Sequence, residues 1–448
     1  MTEAGRVPVV VFKSMKLLET DDHCPSQHEA WTHVRALLPT DRELERWARE
    51  KGALRRRRGV EAATALLRVL LSYACCTLSL RGASEWAQDS AWARMNKSAL
   101  RGRLLKSTPW LEHLLAHLVA RPSAHPPLLA GLHVVLADGT RVTPPGVRGS
   151  GWCIHTLFEP WTAQTVGLQL TDRTGAEHLG RFELEPNQLV VADAGFAHRR
   201  GLKAVADRKA FFLVRTNWCN LPLETRHGRP FDLFTSLGEL QVGQCGAFEV
   251  QTRPDKANGL PAIPVRLVAY RKSEEAARAA QRKAEAEARR KKRKVDPRTL
   301  VACQYVLLVT NVPKAKLSSE ELLDLYRLRW QIELSFKRWK SLLELDRLNV
   351  RHPDSIRATL TAKLLGALLV ERLVAKREAG EATWTCTQRI ARAVQQALLG
   401  EQAISAILRQ HSPLRQPNES GSRERQRPAT QKRLAHKLES RERQAFAA

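Results

Sequence analysis

The sequence predicts an α/β protein in which a mixed sheet, split by a β-rich insertion, is flanked by N- and C-terminal helical regions. Apolar residues recur at helical spacing before residue 125 and again after residue 353. Between these regions, short apolar runs bounded by Gly and Pro indicate strands. The first of these segments run strand, strand, strand, connection, strand, helix, strand, which is typical of a mixed α/β sheet.

The composition is that of a globular protein with an ample core. The chain has 448 residues, 43% of them hydrophobic, which suits two or three domains. No apolar run approaches the roughly 18 residues of a membrane span, and the first residues do not resemble a signal peptide. The eight cysteines form no CxxC pair, so we expect reduced thiols in a cytoplasmic protein, and neither a disulfide framework nor a zinc cluster.

The charge balance points to a polyanionic partner. Lys and Arg number 73 against 46 Asp and Glu, a net charge of +27 at pH 7. Basic side chains that neutralise phosphates release condensed counterions, so nucleic acid is the partner that this charge favours.

The N-terminal part is predicted to be a flexible arm (1–22) followed by a helical, DNA-binding region (23–125). Two helices, about 80–88 and 97–107, are separated by a break, and Asn96 is placed to cap the second. This outline resembles a helix-turn-helix, with Lys97, Arg101 and Arg103 positioned to contact DNA. A plain helical bundle with a solvated basic face explains the pattern equally well.

The α/β domain is predicted in two parts, 126–217 and 304–352, on either side of the insertion at 218–303. The segments predicted to be strands are 131–142, 152–158, 165–172, 188–196, 211–217 and 304–313 in the domain, and 231–237, 246–253 and 264–272 in the insertion.

The insertion also contains a charged helix that ends in six consecutive basic residues. Arg290, Lys291 and Lys292 among them could follow a phosphate backbone. An exposed helix or linker is the simpler structural interpretation. A helical region (353–411) and a basic disordered tail (412–448) complete the chain.

The helix after Ser318 carries two stripes of side chains. Ser318 and Glu321 form a capping box at its start. At 100° per residue, one stripe should face the core: Leu325, Leu328, Ile332, Phe336, Trp339 and Leu343. The adjacent stripe is polar: Tyr326, Arg329, Glu333, Lys337 and Lys340. Glu333 could ligate a hard cation while the bases hold phosphate oxygens, although the stripe taken alone is explained more simply as the charged shoulder of an amphipathic helix.

Two aspartates end apolar strands next to Gly-bearing turns. Asp138 closes the run VVLAD and precedes Gly139, while Asp193 closes LVVAD and lies two residues before Gly195. A carboxylate at the end of an apolar strand is costly to bury without a partner or a metal. Two such aspartates and a helical glutamate supply the oxygen ligands that hold two divalent ions for in-line phosphoryl transfer.

These motifs resemble those of a known family. LADGT, VVADAGF and Y-x2-R-x3-E-x6-K (Tyr326, Arg329, Glu333, Lys340) are similar to the DDE transposases of bacterial insertion sequences that carry the YREK signature. The resemblance implies a ribonuclease-H-like fold, with the first Asp on the first strand, the second on the fourth and the Glu on a later helix. It also implies the long gap between Asp193 and Glu333, which the insertion fills.

The resemblance further implies roles for the matched residues. Asp138, Asp193 and Glu333 would be catalytic and would bind Mg²⁺ (or Mn²⁺), as two ions, while Tyr326, Arg329 and Lys340 would grip the DNA backbone. The partners would be double-stranded DNA at the element's terminal repeats and at the target, bound by a homodimer near the bacterial nucleoid. Members that cleave through a DNA hairpin stack an aromatic residue on a flipped base. Tyr305 or Trp218 could do so here, although core packing explains either residue.

Three functions follow from these observations. An active cut-and-paste transposase would hydrolyse the element's end and join the resulting 3′-OH to target DNA. A metal-dependent nuclease on the same fold needs fewer DNA-holding surfaces than this chain offers. A DNA-binding relic without activity would be free to lose the Asp, Asp, Glu and YREK set, which is intact here.

Overall fold

The computed structural model describes residues 27–119, 128–147, 151–376 and 384–399. The predicted arm (1–22) and basic tail (412–448) lie outside the described residues, as do the last residues of the predicted C-terminal helical region.

One mixed sheet organises the described chain. Its strands are β1 (Leu128–Leu129), β2 (Leu132–Val142), β3 (Trp152–Glu159), β4 (Gln164–Thr171), β5 (Gln188–Ala192), β6 (Phe211–Thr216), β7 (Leu223–Thr225), β8 (Cys245–Thr252), β9 (Pro264–Arg271) and β10 (Tyr305–Thr310). They lie in the order β4-β3-β2-β5-β6-β10-β9-β8-β7, with β1 paired to β2. Only the β2–β5 and β5–β6 pairs among these described strands are parallel.

The first part of the sheet has the predicted ribonuclease-H-like order. Three antiparallel strands, β2 to β4, are followed by β5, which lies beside β2, and by β6, which lies beside β5, and both run parallel to β2. Asp138 lies on β2, the first long strand, and Asp193 directly follows β5, the fourth of the five strands that begin at β2. The predicted α/β class and the order of the two aspartates along the strands are confirmed. The expectation that Asp138 ends its strand at a turn was wrong: β2 continues to Val142, because the residues from Gly139 to Val142 pair with β3.

The strands of the insertion extend this same sheet. β9 pairs with β10 from Tyr305 opposite Arg271 to Thr310 opposite Arg266, and β10 pairs with β6. The domain limits drawn from the sequence stay a prediction, but the insertion forms no separate sheet in the described chain. The prediction of a strand at 231–237 was wrong: α8 (Leu233–Gly238) forms there, because the Asp232 carboxylate accepts the Thr235 N–H at 3.2 Å and starts a helical turn.

Helices cover both faces of the sheet. The described helices are α1 (Gln27–Arg35), α2 (Asp41–Glu50), α3 (Ala63–Cys75), α4 (Leu80–Asp89), α5 (Lys97–Lys106), α6 (Thr108–Val119), α7 (Arg199–Asp207), α8, α9 (Glu274–Arg290), α10 (Pro297–Ala302), α11 (Ser319–Leu328), α12 (Trp330–Leu342), α13 (Pro353–Ala375) and α14 (Trp384–Leu399). The N- and C-terminal helices share one core with α11 and α12 on one face. α7 and α8 help to cover the other.

The predicted pair of N-terminal helices is present as α4 and α5. The Asn96 side chain accepts the Ala99 N–H at 2.9 Å and caps α5, as its position before the helix indicates. This confirms the outline of two helices with a break, while the choice between a DNA-binding motif and a plain bundle stays open.

The strong helix predicted after Ser318 is two helices, α11 and α12, that meet at Arg329. The capping box of Ser318 and Glu321 is present, and every residue of the predicted apolar stripe is buried. The expectation of one continuous helix was wrong. At the junction the Arg329 N–H bonds to the Tyr326 carbonyl and the Ile332 N–H to the Arg329 carbonyl, so the chain tightens to a three-residue step.

Of the helices that can be described, none combines the length and apolar character needed to cross a membrane.

Candidate active site

The first aspartate sits on a central strand with its side chain toward α12. Asp138 faces Thr156 across the β2–β3 pair, and its Oδ1 accepts the Gly139 N–H at 2.7 Å. Its side chain is only 13% exposed. Even-numbered residues of β2 such as Leu136 pack in the core that contains α12, so alternation along the strand sends Asp138 to the same face.

The second aspartate lies beside the first at the end of the neighbouring strand. β2 and β5 are parallel and pair up to Ala137 opposite Ala192, so Asp138 on β2 and Asp193 just after β5 are the next residues along the two segments. Asp193 Oδ1 accepts the Gly195 N–H at 2.8 Å and caps a short turn of 3-10 helix, Ala194–Phe196. The fold thereby brings together two aspartates that are 55 positions apart in the sequence.

The glutamate reaches the same edge from α12, and Arg329 joins it to Asp138. The Arg329 guanidinium lies 2.5 Å from Glu333 Oε1 and 3.5 Å from Asp138 Oδ2. It is 15% exposed and stands 5.8 Å from the centre of the Tyr326 ring. Tyr326, Arg329 and Glu333 of the predicted polar stripe therefore meet Asp138 in one cluster.

The carboxylates of this cluster influence each other. The pKa of Asp138 is raised to about 7. Burial is the largest cause, and the negative charges of Asp193 and Glu333 add to it, while the Gly139 N–H and Arg329 act in the opposite direction. Burial also raises the pKa of Tyr326. An ionised Asp138 thus needs positive charge nearby, which Arg329 supplies in this structure and which a divalent cation could also supply.

The residue types at this edge fit a hard divalent ion. All three carboxylates offer oxygen ligands, which Mg²⁺ and Mn²⁺ prefer. Within the described ranges, however, no three His, Cys, Asp or Glu side chains are already arranged around an ion position. Because Arg329 pairs with both Asp138 and Glu333, binding an ion between these carboxylates requires the guanidinium to move.

The other predicted contacts on α12 face outward to different degrees. Lys337 is exposed and its Nζ lies 5.2 Å from the centre of the Trp384 ring. Lys340, two turns after Glu333, is half-buried. These lysines flank the carboxylate cluster without pairing with it.

The remaining basic residues predicted to bind DNA lie on two separate surfaces. Lys97 and Arg101 are exposed on α5, whereas the Arg103 guanidinium donates to three backbone carbonyls: those of Ala53, Arg56 and Arg58. Its donors are used within the protein. At the end of α9 the predicted bases are all exposed: Arg290, Lys291 and Lys292.

One acidic residue near the site was missed from the sequence. The Glu177 carboxylate lies where a side chain on Gly195 would be, since an ideal Cβ there would be 2.1 Å from Glu177 Oε2, and it lies 3.3 Å from the corresponding Cβ position of Gly139. Burial raises the pKa of Glu177, and the charge of Asp193 adds to that effect. Glu177 lies in the polar segment between β4 and β5, and that segment has no apolar periodicity that would mark one residue as functional.

Of the two aromatic candidates for base stacking, Tyr305 belongs to the core. It is 5% exposed and donates its hydroxyl hydrogen bond to the Leu237 carbonyl at 2.9 Å. Trp218 is half-buried, donates from Nε1 to Thr299 Oγ1 at 3.1 Å, and has the Arg298 guanidinium 4.2 Å from its ring centre.

The family model that matches this chain defines an enzyme of the DDE class, in which divalent metal ions support phosphoryl transfer. The chain belongs to the transposase DDE domain family, whose model matches residues 134–369. The predicted function, a transposase of insertion sequence elements, is confirmed at this level.

Curated relatives agree over most of the chain. The InsL protein of insertion sequence element IS186A from Escherichia coli K12 is 36% identical over 350 residues, covering 78% of this chain and 94% of that protein. The transposase of insertion sequence element IS421 from Escherichia coli is 36% identical over 351 residues, with the same coverage. The transposase of insertion sequence element IS231F from Bacillus thuringiensis subsp. israelensis is 23% identical over 250 residues, covering 49% of this chain and 51% of that protein.

A solved structure with some similarity is the piggyBac transposase synaptic complex with hairpin DNA. Its TM-score is 0.45 at 12% sequence identity, covering 90% of this chain and 85% of that one.

Proposed function

We propose that this transposase cuts double-stranded DNA at the terminal repeats of its element and joins the 3′-OH to target DNA, with Asp138, Asp193 and Glu333 as its catalytic residues. The observation that carries the proposal is the cluster itself. Asp138 and Asp193 lie side by side on β2 and after β5, and Arg329 links Asp138 to Glu333.

The three carboxylates would hold two Mg²⁺ or Mn²⁺ ions, which supply activation of water and stabilise the attacking and leaving oxygens. The chain's own residues set where this happens. Asp138 is held by the Gly139 N–H and Asp193 by the Gly195 N–H, so both carboxylates have fixed directions before any ion binds. The Glu333 carboxylate would exchange its pairing with Arg329 for an ion when Arg329 turns toward a phosphate.

The finer assignment to the YREK group is part of this proposal. Tyr326 and Arg329 lie against the carboxylate cluster, and Lys340 follows on the same helix. Arg329 would hold phosphate oxygens of the strand being cut, and Lys337 and Lys340 would extend that contact along the backbone. This arrangement favours a role of the signature in DNA positioning.

Two further basic surfaces would hold the rest of the DNA. Lys97 and Arg101 on α5 and the bases that follow α9 are exposed, as phosphate contacts require. Because a transposase joins two element ends, a homodimer on DNA is the simplest assembly. The bacterial relatives favour action at the nucleoid in the cytoplasm.

The test is incubation with DNA that carries the element's own terminal repeats, in Mg²⁺, scoring end cleavage and strand joining. Changing Asp138, Asp193 or Glu333 to Ala should abolish cleavage and joining yet spare DNA binding, since each change removes a metal ligand and relieves carboxylate repulsion. Asp207→Ala, which removes an exposed carboxylate on α7 paired with Lys203, is the matched control and should be fully active.

The outcomes separate the three functions. Cleavage without joining would favour a nuclease, and DNA binding without cleavage would favour an inactive relic. Near-normal cleavage by Glu333→Ala would contradict the metal-site assignment at that position.

A further inference from the structure

Two oppositely charged side chains on α13 hold α12, the helix that carries Glu333. α13 is otherwise a largely apolar helix inside the core, lined with residues such as Leu364, Leu365 and Leu368. Lys363 and Glu371 interrupt that apolar character, and both direct their charged groups at α12 or its end. Burying charged groups is costly, so such contacts call for an explanation.

The Glu371 carboxylate connects three elements. Its Oε1 accepts hydrogen bonds from Ser335 Oγ at 2.8 Å and Trp339 Nε1 at 2.9 Å, both on α12. Its Oε2 accepts the Thr165 N–H on β4 at 3.0 Å. Burial raises the pKa of Glu371, and these donors oppose that rise. An ionised carboxylate can only accept hydrogen bonds, and here each of the two Glu371 oxygens has at least one donor.

Lys363 contacts the other end of α12. Its Nζ donates to the Glu344 carbonyl at 2.7 Å and the Leu343 carbonyl at 3.2 Å, where the helix ends. Burial lowers the pKa of this ammonium. Carbonyls at a helix C-terminus lack intrahelical partners and carry partial negative charge, so a lysine suits this position.

The two contacts differ in their distance from Glu333. Eight residues of α-helix separate Lys363 from Glu371, which is about 12 Å at 1.5 Å per residue. Glu371 binds Ser335, two positions after Glu333, whereas Lys363 binds carbonyls ten positions or more after it. Glu371 therefore fixes the part of α12 that presents the catalytic glutamate.

Glu371 also ties that part of α12 to the sheet that carries Asp138. Thr165 lies on β4, which pairs with β3, and β3 pairs with β2 at Asp138. One carboxylate thus joins the helix of Glu333 to the sheet of Asp138. Hydrogen bonds with fixed directions add to the restriction that apolar packing places on rotation of α12 about its axis.

We infer that Glu371 is a positioning residue that sets the orientation of Glu333 toward Asp138 through its hydrogen bonds to Ser335, Trp339 and Thr165. The inference rests on the proposed role of Glu333 as a metal ligand. Glu371 would act through these hydrogen bonds and not on the DNA or the reacting atoms. Its effect is on how well the carboxylates together bind a divalent ion.

The experiment measures Mn²⁺ affinity by calorimetry on the full chain bound to terminal-repeat DNA, in wild type, Glu371→Gln and Lys363→Met. Gln keeps the shape of Glu371 but places an NH₂ group against a donor on α12 or β4, so one contact must break. We expect Glu371→Gln to weaken Mn²⁺ binding about tenfold, the range seen when groups that orient metal ligands are lost. Lys363→Met should lower the unfolding temperature but leave Mn²⁺ affinity unchanged within about twofold.

Trp339→Phe provides a gentler variant that removes one donor and keeps the ring in the core. It should weaken Mn²⁺ binding about threefold. Unchanged Mn²⁺ affinity in Trp339→Phe and Glu371→Gln, or equal weakening in Glu371→Gln and Lys363→Met, would overturn the inference and leave Glu371 as a general packing contact.

Glu333→Ala distinguishes this failure from failure of the proposed function. If Glu333→Ala weakens Mn²⁺ binding strongly while Glu371→Gln does not, only the positioning role is wrong. If Glu333→Ala binds Mn²⁺ as the wild type does, the metal-site proposal itself is wrong.

Discussion

Asp138 shows how strongly the candidate site depends on positive charge. The carboxylate is buried beside Asp193 and Glu333, and its nearest cation is Arg329, whose guanidinium is shared with Glu333. A site that holds several carboxylates with one cation is prepared for a further cation. In this protein the arginine and the metal would compete for the same oxygens.

The raised pKa of Asp138 predicts a pH-dependent stability of the metal-free protein. The folded state holds a proton up to about pH 7 that the unfolded chain releases near 3.8, so this contribution favours folding at low pH and is lost as the pH rises between these values. Asp138→Asn should remove that loss and should therefore stabilise the protein more at pH 8 than at pH 5. Urea unfolding in a chelator at both pH values measures it.

The matched control for this pH effect is Asp207→Asn, which changes an exposed carboxylate on α7. It should give the same small difference in unfolding free energy at both pH values. An Asp138→Asn effect that is equally large at pH 5 and pH 8 would refute the role assigned to burial.

Arg329 is predicted to contact phosphate when DNA is bound. Arg329→Ala should reduce the slope of log K against log[salt] for terminal-repeat DNA by about one, and Lys340→Ala should do the same. Arg329→Lys should still impair cleavage, because a point charge does not replace a planar fork. If Arg329→Ala changes neither slope nor cleavage and lowers only the unfolding free energy, Arg329 serves solely to neutralise Asp138 and Glu333.

At the scale of elements, two helical glycines differ in how closely other helices pack against them. Gly366 on α13 faces α3 so closely that a Cβ would lie 2.4 Å from the buried Cys75 Sγ. Gly102 on α5 is also helical, but a Cβ there would meet no atom within 4 Å. The two glycines therefore have different reasons to occur in a helix.

Replacing each glycine with Ala should change stability in opposite directions. Gly366→Ala should lower the unfolding free energy by about 1–3 kcal/mol through overpacking. Gly102→Ala should raise it by roughly 1 kcal/mol, because Ala is the better helix former. Denaturant titration measures both, and Cys75→Ala should relieve part of the Gly366→Ala loss. Destabilisation of similar size at both positions would show that helix packing is not the cause.

At the scale of the whole molecule, the chain brings together carboxylates from three distant segments and no Cys or His cluster in the described chain competes with them. After chelation, Mg²⁺ or Mn²⁺ should restore cleavage, and Zn²⁺ should not, because carboxylate oxygens suit hard ions. Cleavage assays with each ion added back separately measure this. Rescue by Zn²⁺ alone would contradict the oxygen-ligand site.

The sheet that supports this site is also a property of the whole molecule. Strands β9 and β10 pair across a helix-containing connection, and β10 pairs with β6, so the segment between Asp193 and Glu333 is part of the sheet that carries the aspartates. Arg68 makes a comparable long-range connection, since it donates from α3 to the Ala397 and Leu398 carbonyls at the end of α14. Such pairings join residues that are far apart in the sequence.

The sequence by itself determined what depends on neighbouring residues. The apolar stripe that ends at Leu343, the capping box of Ser318 and the Asn96 cap are all confirmed, because period and cap chemistry operate within a few residues. The motifs around Asp138 and Asp193 were visible for the same reason.

Only the tertiary structure decided the contacts between distant segments. The place of Glu177 beside Gly195 was not predicted. The helix after Asp232 and the junction of α11 and α12 at Arg329 were also missed, although the hydrogen bonds that form them are local. Arg329 and Glu371 took their roles from partners on other elements, at Asp138 and Thr165. The physical reason is that burial, hydrogen-bond geometry and charge interactions depend on which segments the fold brings together, and local residue patterns do not specify that.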